Sequence, residues 1–216
     1  MKYLSVIIAA LILISCKVQP PTPNINPNAA PRYQDAVATS YTLINKAYVL
    51  AATVFAVDEN TLATAAHYCL EAQELVIFKH AHIIVQTNAN RVFKARVKTI
   101  SNKADVCVLD APHHGLRVLP LAPDYSTLNY GDQVLVVGSP AGIIVAQFPG
   151  QIVTSDYQGV AQQLKHLIIL TAASTPGISG SPVIYNGEVV GVLVMGLPNF
   201  PHLSAAVPIR LLKELL

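Results

Sequence analysis

Short Val- and Ile-rich runs, each closed off by turn residues, succeed one another from Tyr48 to Val207. They are Tyr48–Val57, Leu62–Ala65, Leu75–Phe78, Ile83–Thr87, Val92–Ile100, Val106–Leu109, Gln133–Gly138, Gly150–Ser155, Leu167–Thr171, Pro182–Tyr185, Glu188–Met195 and Ser204–Val207. Breaks such as Asp58-Glu59-Asn60, Asn88-Ala89-Asn90, Gly131-Asp132 and Asn186-Gly187 separate them. Short β-branched runs between turn signals read as strands. About a dozen at this spacing make an all-β barrel or sandwich and exclude alternating βαβ units. Tyr185-Asn186-Gly187-Glu188 is the clearest hairpin. Helix is expected in two places only: a short one over Tyr33–Asn45, and one opened by Pro208 over Ile209–Leu216.

The N-terminus reads as a targeting segment. Lys2 precedes an apolar run from Leu4 to Ile14, which is short of the roughly 20 residues that span a bilayer. The run ends in Leu13-Ile14-Ser15-Cys16, which resembles the bacterial lipoprotein signal. That resemblance implies cleavage and diacylation at Cys16, hence export and a lipid anchor in the cell envelope. The alternative is an ordinary secretory signal with an incidental cysteine. Residues 17–32 carry Pro20, Pro21, Pro23, Pro27 and Pro31 without hydrophobic period. They read as a semi-rigid tether or as a disordered leader. The folded domain is then 33–216.

Net charge is only +2, and charged residues make up 12% of the chain. Arg91, Lys94, Arg96 and Lys98 alternate along one strand as its wet face, so no nucleic-acid footprint is present.

Within this framework one stretch carries chemistry: Thr175-Pro176-Gly177-Ile178-Ser179-Gly180-Ser181-Pro182-Val183. A serine between glycines can sit on a sharp turn, close to a substrate. The N–H groups of Gly177 and Ser179 can converge on one small space, as an oxyanion requires. Serine is a weak nucleophile and needs a base. Leu62-Ala63-Thr64-Ala65-Ala66-His67 supplies a histidine after a strand, and Ala104-Asp105-Val106-Cys107 an aspartate opening the next. Asp110 is a rival that fits a loop better, lying between the strand and Pro112. His80, His82, His113, His114, His166 and His202 read as surface residues. No metal or cofactor is assigned, because no ligand set accompanies His113-His114.

The ordered His67, Asp105 and Ser179 motifs resemble the trypsin-like serine peptidases, in their bacterial HtrA-type and glutamyl-endopeptidase branches. Further segments carry the resemblance: Phe93-Lys94-Ala95-Arg96-Val97, Tyr130-Gly131-Asp132-Gln133-Val134 with Val137-Gly138-Ser139-Pro140-Ala141-Gly142, Gly187–Val192, and Ala205-Ala206-Val207-Pro208. It implies two six-stranded antiparallel barrels, about 46–111 and about 127–208, with the active site between them. It also implies a His67–Asp105–Ser179 triad, an oxyanion hole at Gly177 and Ser179, and a protein or peptide substrate. Nothing resembling a PDZ module follows the last helix, so regulated cage assembly is not expected.

The chain departs from the family at three points. Ile178 stands where relatives carry Asp or Asn beside the serine, which leaves open whether the oxyanion loop is held in another way or is not assembled. Ser181 replaces a frequent glycine, giving a Ser-Gly-Ser-Pro-Val form like that of glutamyl endopeptidases. Leu193 lies where those enzymes place a carboxylate-binding histidine, which argues against glutamate specificity. A pocket formed by Ala173, Ser174, Leu193, Val194 and Met195 would favour small or aliphatic side chains. The expectation is a membrane-tethered serine endopeptidase; the alternative is a catalytically silent binding module on the same fold.

Cys69 and Cys107 remain once Cys16 is assigned to the anchor. Each lies two residues beyond a triad member, near one wall of the first barrel. A bridge would pin the histidine and aspartate segments together. The reading adopted is two buried, reduced thiols, because closeness does not guarantee the Cα separation a bridge needs.

Overall fold

The computed structural model describes residues 33–124, 128–158, 166–172 and 174–216. The leader, Cys16 and the proline-rich segment lie outside the described residues. Contacts divide the chain into Met1–Pro31 and Arg32–Leu216, and both barrels belong to the second unit.

The first barrel is built from β1 (Val37–Ile44), β2 (Ala47–Ala56), β3 (Thr61–Ala65), β4 (His82–Thr87), β5 (Val92–Ser101) and β6 (Val106–Asp110). It closes in the order β1-β2-β3-β6-β5-β4. The second contains β7 (Gln133–Gly138), β8 (Ala146–Tyr157), β9 (Leu167–Thr171), β10 (Pro182–Tyr185), β11 (Glu188–Leu197) and β12 (Phe200–Pro208). It closes as β10-β11-β12-β9-β8-β7, and every strand pairing in both barrels is antiparallel. The β10–β11 turn has Asn186 and Gly187 at φ 49° and 90°, as a tight two-residue hairpin demands. A short helix, α2 (Ile209–Lys213), follows β12.

The long apolar runs have a structural reason. Side chains alternate faces along a strand, and in β2, β3 and β6 both faces are covered. Val54, Leu62 and Leu109 fill the first barrel. Their neighbours Phe55, Ala63 and Val108, which pair across the three strands, pack into the core shared with the second barrel.

Four expectations are corrected. Residues 33–45 are not a helix. Only Tyr33–Asp35 form a 3₁₀ turn, and Val37–Ile44 become β1, pairing with β2 and β4. The first barrel therefore starts at Val37 rather than near 46. Barrel closure needs this strand, and Val37, Thr39, Tyr41, Thr42 and Ile44 suit it. Leu75–Phe78 are not a strand but the end of α1 (Ala66–Lys79). The helix buries only Ala66, Tyr68, Cys69 and Ala72, while Ile77 and Phe78 are 63% and 75% exposed, so apolar content misreports its buried face. Cys69 and Cys107 are joined as a disulfide across a Cα separation of 6.5 Å. Finally, His114 is buried: Leu116 N–H donates to its Nδ1 at 3.0 Å, and its Nε2–H donates to the Asp58 carbonyl at 2.7 Å.

Candidate active site

His67 is the second residue of α1, whose cap residue Ala65 has no side chain to satisfy the first-turn N–H groups. Asp105 does so instead. Its carboxylate Oδ1 accepts from His67 N–H at 2.9 Å, and its carbonyl accepts from Ala66 N–H at 3.2 Å. A carboxylate at a helix N-terminus also meets the favourable end of the helix dipole. Asp105 adopts φ 48°, a left-handed conformation that Asp tolerates better than most residues. That turn aims the side chain back at the helix. Its Oδ2 then lies 3.0 Å from His67 Nδ1, and Oδ1 lies 3.2 Å away.

The aspartate side chain is 13% exposed and the histidine 44%. The hydrogen bond to Asp105 raises the His67 pKa above its ordinary value, with partial burial opposing and the aspartate charge adding to the rise. Among the described residues, no hydrogen bond takes up the remaining ring nitrogen, Nε2. Asp110, the rival, instead pairs with Arg96 at 2.8 Å on the barrel surface.

Ser179 lies between β9 and β10, flanked by Gly177 at φ 94° and Gly180 at φ 88°. A side chain at Gly180 would collide with the Thr53 carbonyl and the Thr64 hydroxyl, so glycine is required for this loop to meet the first barrel. Thr53 N–H donates to the Ser179 carbonyl at 2.9 Å, and Thr64 Oγ1 donates to the Thr53 carbonyl at 2.7 Å. Thr64 is on β3, which leads directly to His67. The serine loop of the second barrel is thus fastened to the strands that carry the histidine. Ser179 Oγ itself points to the Val194 carbonyl at 3.5 Å. The structure therefore joins His67 to Asp105 directly, and Ser179 to their barrel through its backbone.

Among the described residues, no hydrogen bond takes up the N–H of Gly177 or that of Ser179. Two donors left open beside a serine hydroxyl are the arrangement an oxyanion would need. The loop carbonyls are all occupied. Pro176 O accepts from Ala141 N–H at 2.7 Å, and Gly177 O from Thr53 Oγ1 at 2.8 Å. Ile178 O accepts from Ser181 N–H at 3.0 Å and from Ser181 Oγ at 2.6 Å.

Of the expected pocket residues, Ala173 lies outside the described residues. Ser174 places its hydroxyl where a side chain at Gly196 would project. Leu193 and Val194 are buried in the second barrel's core, and Met195 packs at its margin. Sequence reasoning missed Gly196 and Ser204, whose buried hydroxyl donates to the Ala172 carbonyl at 3.0 Å. It also missed Thr53 and Ser139. A hydroxyl inside the apolar run Leu50–Phe55 was the available signal, since a buried hydroxyl must find a partner.

Comparison with known proteins agrees with this architecture. A "probable periplasmic serine endoprotease DegP-like" of Halomonas elongata is 29% identical over 157 residues, covering 70% of this chain and 31% of the relative. A "serine protease HtrA-like" of Staphylococcus aureus strain MRSA252 is 23% identical over 186 residues, covering 73% and 24%. The chain thus spans about a quarter to a third of the length of these curated relatives. Among solved structures, the HtrA-type protease AlgW with tripeptide superposes with TM-score 0.71 at 22% identity, over 85% of this chain and 62% of the other. A Mycobacterium tuberculosis protease in its active form gives 0.66 at 22% identity, over 81% and 76%. The trypsin-like peptidase domain matches residues 52–192, from β2 through β11 and taking in His67, Asp105 and Ser179, and the chain belongs to that family.

Proposed function

We propose that this chain is a serine endopeptidase, exported and held at a membrane by lipid on Cys16. The observation that carries the catalytic reading is the Asp105 carboxylate, which binds both the backbone and the ring of His67. Ser179 Oγ attacks the scissile carbonyl while His67 Nε2 takes its proton. Asp105 fixes the tautomer and stabilises the imidazolium. The N–H groups of Gly177 and Ser179 receive the negative charge that develops on the carbonyl oxygen. His67 then gives its proton to the leaving amine, and a water repeats the cycle on the acyl-enzyme. The uncharged Ser174 and Gly196, which lie against each other, and the apolar Met195 support cleavage after small or aliphatic residues.

The contact of Ser179 Oγ with the Val194 carbonyl, rather than with His67, favours the second reading, a silent binding module. A fluorophosphonate probe separates the two. The wild-type chain is expected to label and hydrolyse peptides, and Ser179→Ala to do neither while keeping its circular dichroism spectrum. A folded wild-type chain that never labels would favour the binding module.

Export and anchoring are supported by the lipoprotein-like Leu13-Ile14-Ser15-Cys16 and by the periplasmic designation of the Halomonas relative. Cys16→Ser is expected to move the protein to the soluble fraction or leave it as a precursor. Mass spectrometry showing an unmodified N-terminus beyond residue 16 in the mature wild type would refute the anchor.

A further inference from the structure

Ile178 is 2% exposed and apolar, so it cannot hold the nucleophile loop by a polar contact of its own side chain. We propose that Thr53 and Ser181 are positioning residues whose hydroxyl groups hold loop 176–179 in its oxyanion-binding shape, in place of a polar side chain at 178. This rests on the peptidase reading of the site.

The argument starts from the planarity of the peptide bond. In a trans peptide, N–H and C=O point in opposite directions. Fixing a carbonyl therefore aims the next residue's N–H. The carbonyl of Ile178 shares its peptide with Ser179 N–H, one of the two oxyanion donors. Ser181 Oγ binds that carbonyl at 2.6 Å and reinforces the bond from Ser181 N–H. Ser181 is fully buried, and its hydroxyl fills space that a side chain at Gly138 would claim. This serine has no exposed surface that would explain it otherwise.

Thr53 secures the peptide between the two donors. It too is fully buried. Its Oγ1 accepts from Ser139 N–H at 2.8 Å, so its own hydrogen is directed to the Gly177 carbonyl, also at 2.8 Å. Its backbone N–H holds the Ser179 carbonyl. A single residue of the first barrel thus holds the carbonyls on both sides of Ile178. Ser139 is fixed in turn by Thr39, whose hydroxyl donates to Ser139 Oγ at 2.6 Å. The other donor, Gly177 N–H, is aimed by Ala141 N–H on the Pro176 carbonyl. A side chain at Gly177 would crowd the Ser139 carbonyl and lie 2.9 Å from Ala141 N, which keeps the two turns in register.

The test uses Thr53→Val, Thr53→Ser and Ser181→Ala with a peptide p-nitroanilide carrying valine at the cleaved position, and the matching peptidyl boronic acid. Losing a whole oxyanion donor costs on the order of 10²–10³ in kcat. Losing the support of one should cost less. Thr53→Val and Ser181→Ala are expected to lower kcat at least tenfold, with KM within about twofold, and to weaken the tetrahedral boronate adduct in parallel. Thr53→Ser should stay within about threefold of wild type. A wild-type chain that neither cleaves nor labels with fluorophosphonate overturns both readings. An active wild type with both hydroxyl-deficient variants at full kcat overturns the positioning role alone. Thr53→Ala replaces Thr53→Val if the latter does not fold. A chain that folds with Ser at 53 but with neither Val nor Ala makes the hydroxyl a folding requirement and overturns its positioning role.

Discussion

Asp105 combines three demands in one residue: a left-handed backbone, the cap of α1 and the partner of His67. Its hydrogen bond lifts the His67 pKa above the ordinary 6.5. On the proposed mechanism the neutral ring is the base, so the acid limb of kcat/KM should lie above that value. Asp105→Asn should drop the rate by roughly 10³–10⁴ and move the limb down. An unshifted limb in a folded Asp105→Asn chain would contradict this origin of the shift. The sign for stability follows from the same rise. A histidine whose folded pKa is raised contributes fully below its unfolded pKa, and loses that contribution as pH climbs through the folded one. The melting advantage of wild type over His67→Ala should therefore be larger near about pH 5.5 than near about pH 8.5. At this scale His67, Asp105 and Ser179 were legible as candidates because triad chemistry restricts residue type and order. Thr53 was not. A threonine inside a strand is ordinary β-sheet composition, and its hydroxyl partners lie 86 and 124 positions away along the chain.

The Cys69–Cys107 bond ties the first turn of α1 to β6, its ends two residues beyond His67 and Asp105. Closing a loop of this length stabilises by about 2–4 kcal/mol on the chain-entropy view. Reduction, or Cys69→Ala with Cys107→Ala, should therefore lower the melting temperature by roughly 5–15 °C. Activity should fall well below that temperature too, because the histidine segment loosens from the aspartate segment. An unchanged melting curve after complete reduction would remove the bond from the stability account. The expectation of free thiols failed for a geometric reason. Cys69 was placed from sequence without the helix that turns it toward β6, since α1 carries Leu75–Phe78, a run resembling a strand. The β1 error has a related origin. Val37–Ile44 is mostly buried, as expected of a strand covered on both sides, so it shows no clean alternation of polar and apolar residues. The remaining strands were legible because turn residues bracket them, as Asn186-Gly187 does for β10 and β11.

Across the molecule, the two barrels share one apolar core and are stitched by Thr53, Ser139 and Gly177. That joint was not readable in advance, because the residues that form it come from opposite ends of the domain. The disulfide has a different consequence at this scale. The segment it encloses contains α1 from Cys69 onward, β4 and β5, and the exposed turn Asn88-Ala89-Asn90 lies inside that covalent ring. On the peptidase reading each molecule is exposed to its own neighbours, and such turn tips are where chains are cut. One cut at this turn would open the ring without separating its ends, leaving His67 and Asp105 on fragments still joined by sulfur. Limited digestion there is expected to give one band of unchanged mass on a non-reducing gel and two after reduction, with peptidase activity surviving until the reductant is added. Two bands without reductant would show that the ring does not hold the fragments. The bond would then act as insurance against self-digestion, keeping a nicked molecule in service.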